Sequence, residues 1–272
     1  MPEARNLLPD AFAGTAEAYA RYRPPYPPAM LAEMLREAGA PPDGAVLDLA
    51  CGPGRIALGL ADRVGNVVAL DLEPEMIEMG RREASRRGLA NIDWRVGPAE
   101  SFEAPPGSFD LIAIGEAFHR LDQPLIARRA FGWLKPGGGL ATLGSRGILR
   151  GPEPWQQGAT EVARKWTAEG FPTGWAVSRT GVELTVDQSA AIICGAGFDG
   201  PLDRNLEEPH AWSFEGVLGY LQSTSVASRQ VLGARFDAFA ADLAATLAPF
   251  AAADGRWHEQ LSFGCTLYRK PA

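Results

Sequence analysis

Val46-Leu47-Asp48-Leu49-Ala50-Cys51-Gly52-Pro53-Gly54 is the stretch that decides how this chain folds. Residues 45–50 form a short apolar run bounded by glycines, the pattern of a strand buried on both faces. Gly52 and Gly54 lack a Cβ, so the backbone can turn tightly there and a ligand can lie against it. Working outward, the spacing predicts a helix over 56–63, a second buried strand over 66–70, and a helix over 75–87. Pro74 suits that helix's first turn and Gly88 stops it. A third strand is expected over 92–96, a fourth over 108–114 and a helix over 124–134. Lys135-Pro136-Gly137-Gly138-Gly139 reads as a sharp turn into a fifth strand over 140–143. Upstream, Met30, Leu31, Met34, Leu35 and Ala38 fall at helical spacing, with Gly39 and Pro41 as the stop. Strands alternating with helices at this pace indicate parallel βαβ units with right-handed crossovers.

The pattern changes after Gly144. Residues 146–182 read as irregular, and Trp155, Trp166 and Trp175 among them are expected to wall a lid over a small bound molecule. The alternative for this stretch is a second small core. Thr185 and Gln188 form a capping-box start to a helix ending near Gly195. A strand is expected over 202–206, a helix capped by Ser213 through Leu221, one long helix over 231–247 and a closing strand over 257–268. The expected architecture is a single α/β domain, residues 1–272, on a doubly wound, seven-stranded, mostly parallel sheet. It comprises a helical N-terminal cap (1–40), a cofactor-binding core (41–145), a lid or insertion (146–184) and closing helices and strands (185–272).

Composition narrows the function classes. The 272 residues can bury a substantial core, and 46% hydrophobic with 22% charged content is ordinary for a globular protein. A net charge of -7 argues against a nucleic-acid partner, whose affinity comes from neutralised phosphates. Cys51, Cys194 and Cys265 are widely spaced with no CxxC pair, which suits reduced thiols rather than a disulfide framework or a metal site. No apolar leader is visible, and the most apolar stretch, 243–253, contains Pro249 and is too short to span a bilayer. A cytoplasmic protein without a membrane partner is expected, as a monomer or homodimer.

The first strand ends where open α/β sheets bind ligands, beyond the carboxyl ends of their strands. Asp71 closes the second strand, nineteen residues past Gly52. A carboxylate there can accept hydrogen bonds from both hydroxyls of a ribose. An adenosine-bearing cofactor is therefore expected. Gly52-Pro53-Gly54-Arg55-Ile56-Ala57 also satisfies G-x-G-x-x-G/A, so an NAD-dependent oxidoreductase stays open at this level. Asp48 tilts the choice. A carboxylate inside the first strand opposes a pyrophosphate but suits an ammonium or a sulfonium.

The runs 46–54, Ala69-Leu-Asp-Leu-Glu-Pro-Glu-Met76 and Leu134-Lys-Pro-Gly-Gly-Gly-Leu140 resemble, in order and spacing, class I S-adenosylmethionine-dependent methyltransferases with their Rossmann-like fold. Ala18-Tyr19-Ala20-Arg21-Tyr22-Arg23-Pro24 and Tyr220-Leu-Gln-Ser-Thr-Ser225 are similar to segments of the small-molecule, trans-aconitate methyltransferase-like subgroup. The resemblance implies S-adenosyl-L-methionine as cofactor. It places Ala50, Cys51, Gly52 and Gly54 along its methionine and ribose portions and Asp48 near the methionine amino group. It puts Asp71 on the ribose hydroxyls, Leu72 and Met76 against the adenine, and Ala99 and Glu100 at the adenine edge. Gly115 and Glu116 would face the methionine moiety, with Tyr19 and Arg23 closing over its carboxylate. Blander alternatives are a structural Asp48, a solvated Glu100 and packing roles for Tyr19 and Tyr22.

Methyl transfer from a sulfonium needs alignment, exclusion of water and sometimes a base, but no protein nucleophile. His119, at the rim after the fourth strand, is the candidate catalytic residue; its alternative is a loop histidine bonded to backbone. In the subgroup the next residue is often Trp, whereas here it is Arg120. The acceptor is expected to be a small molecule methylated at oxygen or nitrogen, a carboxylate included. A cofactor-binding protein without turnover is the remaining alternative.

Overall fold

A computed structural model describes residues 12, 14–167 and 185–272. In chain order they form α1 (Ala16–Tyr22), α2 (Pro28–Ala38), β1 (Ala45–Leu49), α3 (Ala57–Leu60), β2 (Asn66–Asp71), α4 (Pro74–Arg87), β3 (Ile92–Val96) and β4 (Phe109–Gly115). There follow α5 (Gln123–Trp133), β5 (Leu134–Ser145), α6 (Pro154–Trp166), α7 (Val186–Gly195), β6 (Asp199–Trp212), α8 (Phe214–Gln222), α9 (Arg229–Leu232), α10 (Phe236–Leu247) and β7 (Trp257–Arg269). The seven strands make one sheet in the order β3-β2-β1-β4-β5-β7-β6. β1 runs parallel to both β2 and β4, as do β2 to β3 and β4 to β5. Chain progression reverses between β1 and β4, and the two strand ends diverge there.

The described residues divide into two compact units: 25–144, 185–206 and 264–272 form a sheet unit, and 12, 14–24, 145–167 and 207–263 the other. In the sheet unit Leu47, Leu49, Ile112 and Ile114 are fully buried, which is why their strands read as unbroken apolar runs. One core cluster joins them to Ile126, Ala127, Ala130 and Trp133 of α5 and to Ile193 of α7. At Gly139 a Cβ would lie 2.9 Å from Leu267 and 3.0 Å from Ala38, so bare backbone lets α2 pack closely. Asp110, buried at the start of β4, accepts from the Ala45 N–H at 2.8 Å and from Lys135 Nζ at 2.8 Å, tying three strands together.

The other unit has its own core. Gln156 starts α6 by accepting the Glu153 N–H at 3.0 Å, then donates to the buried Glu259 at 2.5 Å. The second carboxylate oxygen of Glu259 accepts from Trp212 Nε1. Trp155 Nε1 reaches the His258 carbonyl at 3.1 Å, and Trp166 Nε1 reaches Asp242 at 2.7 Å.

Several sequence expectations need correction. Residues 146–182 are not irregular throughout: α6 occupies 154–166, with Pro154 at a first-turn position where it starts a helix rather than breaking one. Trp175 and the rest of 168–184 lie outside the described residues. The expected turn at 135–139 is a bulge inside a longer β5, where the register jumps between Phe109 and Leu111. The expected helix over 56–63 is regular only across α3, and that over 231–247 is split at Gly233, whose φ is +55°. The capping box at Thr185 and Gln188 forms as expected, with reciprocal bonds of 2.8 and 3.2 Å.

Candidate active site

The turn after β1 is built from three left-handed residues, Ala50, Gly52 and Gly54, and two carboxylates. Ala50 has φ +56°, an energetically costly conformation for a residue with a Cβ, and Gly52 has φ +56°. Among the described residues only one other non-glycine has positive φ: Glu116, at +52°, immediately after β4. The two strained positions thus sit at the ends of the neighbouring strands that diverge. Backbone strain of this kind is retained where geometry serves a ligand.

Asp71 staples the turn to its surroundings. One carboxylate oxygen accepts the Gly52 N–H at 2.7 Å and the other the Glu73 N–H at 2.9 Å. Burial raises its pKa, while those N–H groups and the positive charge of Arg120 work against the rise. Arg120, which stands where the subgroup often has Trp, therefore lies within electrostatic reach of the ribose candidate. That relation was not apparent from the sequence, because it joins residues far apart in the chain.

Asp48 is 1% exposed. One oxygen accepts the Ala57 N–H at 2.9 Å, and Oδ1 is buried with no hydrogen-bond partner. Desolvation pushes its pKa up to about 7, with Asp71 adding to the rise and the Ala57 N–H and Arg55 opposing it. Cys51 is buried beside both carboxylates, and its thiol pKa is raised, chiefly by burial, so it is no nucleophile.

Gly54, at φ +78°, closes the turn against an unforeseen residue. A Cβ there would come within 2.3 Å of the Trp94 ring, and one at Gly80 within 2.4 Å. Trp94 of β3 is thus wedged between the turn and α4, holding the loop in place. Tyr26, also missed as a site residue, is buried; its hydroxyl lies 3.0 Å from the point a Cβ on Gly115 would occupy, and Arg55 lies over its ring at 4.4 Å. The signals in the sequence are Arg55 within the glycine turn and Tyr26 between prolines.

The remaining expected residues fall in two places. Leu72 follows Asp71 and is half-buried, and Met76 is buried on α4. Ala99 and Glu100 form a short turn after β3. Glu100 accepts the Asp122 N–H at 3.2 Å, so it is tethered to the segment after β4 rather than simply solvated. Gly115 ends β4, the Glu116 N–H donates to Leu143 at 2.7 Å, and half-buried His119 lies in a single turn just beyond. Tyr19 and Arg23 belong to the other unit. There the Arg23 guanidinium lies 4.7 Å from the Tyr19 ring centre and 4.6 Å from that of Tyr220, and its Nε donates to Ser223 at 2.8 Å.

Residues 46–138 match a family model described as a methyltransferase domain. They form a methyltransferase domain. Over 101 residues the chain is 37% identical to a ubiquinone biosynthesis O-methyltransferase of Xanthomonas campestris pv. campestris, covering 36% of this chain and 42% of that one. Over 70 residues it is 44% identical to the aklanonic acid methyltransferase DauC of Streptomyces sp., covering 25% and 32%. The chain therefore matches less than half the length of either relative. A solved structure, a putative type II methyltransferase from Anaeromyxobacter dehalogenans, superposes with a TM-score of 0.61 at 22% identity. It covers 92% of this chain and 98% of that one, a likeness of fold. Among the described residues no helix is long and apolar enough to cross a membrane.

The methyltransferase domain fits its cofactor class on its own geometry. Asp48 Oδ1 is a buried acceptor that a cationic group would satisfy, and the bent backbone at 50–54 leaves bare peptide beside it. The Asp71 carboxylate keeps further lone pairs for hydroxyls beyond the two N–H groups it already accepts.

Proposed function

We propose that the protein transfers a methyl group from S-adenosyl-L-methionine to an oxygen, carboxylate included, or a nitrogen of a small-molecule acceptor. The observation that carries this is Asp48: a fully buried carboxylate with one oxygen unsatisfied, at the divergence of β1 and β4, calls for a cation. A pyrophosphate there would meet that carboxylate and Asp71 together, which disfavours the dinucleotide alternative. The names of the two curated relatives, an O-methyltransferase and a methyltransferase of an organic acid, support a small acceptor with reactive oxygen.

In this reading Asp71 accepts from the ribose hydroxyls, and Asp48 holds the methionine amino group. Backbone at Ala50, Cys51, Gly52 and Gly54 lies along the nucleoside, while Leu72, Met76, Ala99 and Glu100 border the adenine. Gly115 and Glu116 flank the methionine portion. The cofactor supplies an activated methyl on a positively charged sulfur. The protein's part is to align the acceptor, keep water out and, for a neutral hydroxyl or amine, take up its proton at an imidazole nitrogen of His119. A carboxylate acceptor, already ionised, needs no such base.

Thermal unfolding with S-adenosylmethionine or with NAD discriminates first: stabilisation by the former alone is expected, and stabilisation by NAD alone refutes the proposal. Release of S-adenosylhomocysteine with a panel of small acids, phenols and amines, read by mass spectrometry, then identifies the acceptor. Activity confined to nucleic acid or protein would overturn the small-molecule reading.

A further inference from the structure

A carboxylate sealed from water keeps its charge only when several donors or a cation surround it. Asp48 has neither in full measure. Its β1 position pairs with Ala69 of β2 on one side and Ala113 of β4 on the other, both fully buried and apolar. A single backbone N–H, from Ala57, reaches one oxygen, and Oδ1 has none. The charged and titratable groups facing it are Asp71 from β2, which repels its charge, and Arg55 and Cys51 from the turn; α3 contributes only that N–H.

Resting on the methyltransferase reading above, we propose that Asp48 is neutral while the nucleoside site is empty and ionises when the amino group of the cofactor docks, so that binding releases one proton to solvent. The O–H bond at Asp48 breaks, its proton passes to buffer, and the resulting carboxylate pairs with the ammonium. The rise of its pKa to about 7 agrees with this and sets the range in which release is visible. Near pH 6 almost every empty molecule carries the proton, and above pH 8 almost none does. Affinity for amino-bearing ligands should therefore increase up to about tenfold per pH unit below 7 and level off above it.

The test is calorimetric titration of the full chain with S-adenosylhomocysteine, in phosphate and in Tris at pH 6, 7 and 8.5. The dependence of heat on buffer ionisation gives the protons exchanged. Release approaching one proton at pH 6 and vanishing at pH 8.5 is expected. With 5′-methylthioadenosine, which lacks the amino acid portion, no release is expected. Asp48→Asn should bind S-adenosylhomocysteine more weakly and release no proton. Binding with no proton release at pH 6, or equal release by Asp48→Asn, overturns the inference alone. Absence of any binding overturns the methyltransferase reading with it. Infrared difference spectra of the unsubstituted protein supply a readout independent of the variant's folding. The carbonyl stretch of a protonated carboxyl should disappear on adding S-adenosylhomocysteine, and its persistence counts against the proposal.

Discussion

Replacing Asp71 by alanine separates what its carboxylate does for the fold from what it does for a ligand. Its two oxygens accept the Gly52 and Glu73 N–H groups at 2.7 and 2.9 Å. A hydrogen bond to a charged acceptor contributes about 1.5–3 kcal/mol. Two of them would approach about 3–6 kcal/mol, but burial of the carboxylate, seen in its raised pKa, offsets a good part. A loss of roughly 2–3 kcal/mol in folding stability is expected, measured by urea denaturation without ligand. Loss of the ribose hydroxyl contacts should weaken S-adenosylhomocysteine binding by a further 1.5–3 kcal/mol or so, about 10- to 150-fold in Kd. Calorimetry measures that Kd, and an analogue lacking the ribose hydroxyls checks the cause: removing hydroxyls should matter much less in the variant than in the wild type. A destabilised variant that binds S-adenosylhomocysteine with unchanged Kd would refute the ribose role and leave Asp71 as a loop staple.

Gly54→Ala should cost roughly 2–4 kcal/mol, since its Cβ would meet the Trp94 ring at 2.3 Å, whereas Gly88→Ala meets only backbone strain of about 1 kcal/mol. Equal losses in urea would count against the Trp94 wedge. Asp48 titrates at about 7 when folded and near 4 when unfolded, so between those pH values the folded chain binds a proton the unfolded chain has lost. Stability of the empty protein should therefore fall as pH rises through this window, by up to about 1.4 kcal/mol per unit, then level off. Asp48→Asn, which has no proton to lose, should gain stability relative to wild type from pH 4 to 7, and a constant difference sinks the assignment. His119→Ala should lower turnover of a hydroxyl or amine acceptor by about 100-fold or more while leaving the S-adenosylhomocysteine Kd nearly unchanged; full turnover reduces it to a bystander. Glu259→Ala strips the acceptor from buried Gln156 and Trp212 donors and should destabilise by about 2–4 kcal/mol in urea; a loss under about 1 kcal/mol would show the network to be dispensable.

Proline shows where sequence reading failed and why. Residues 146–182 read as irregular, yet Pro154 begins α6, because the missing N–H of a first-turn residue has no partner to lose. Gln156 also caps α6 locally, through the Glu153 N–H, whereas its burial depends on Glu259, 103 residues away, and that part of its role leaves no local mark. Trp94 could not be recognised as the wedge behind Gly54 for the same reason: its two glycine neighbours lie on different elements.

Local sequence alone determined the alternation of strand and helix through residue 145, the bend at 50–54 and the acidic ends of β1 and β2. Apolar periodicity, glycine conformation and proline geometry act over a few residues and leave their mark in the chain. The tertiary structure decided which charges face one another. It placed Arg120 near Asp71, left Asp48 Oδ1 without a donor and strained Ala50 and Glu116 just past the ends of adjacent strands. Desolvation and Coulomb energy depend on distances through space, and those distances exist only once β1, β2 and β4 have paired.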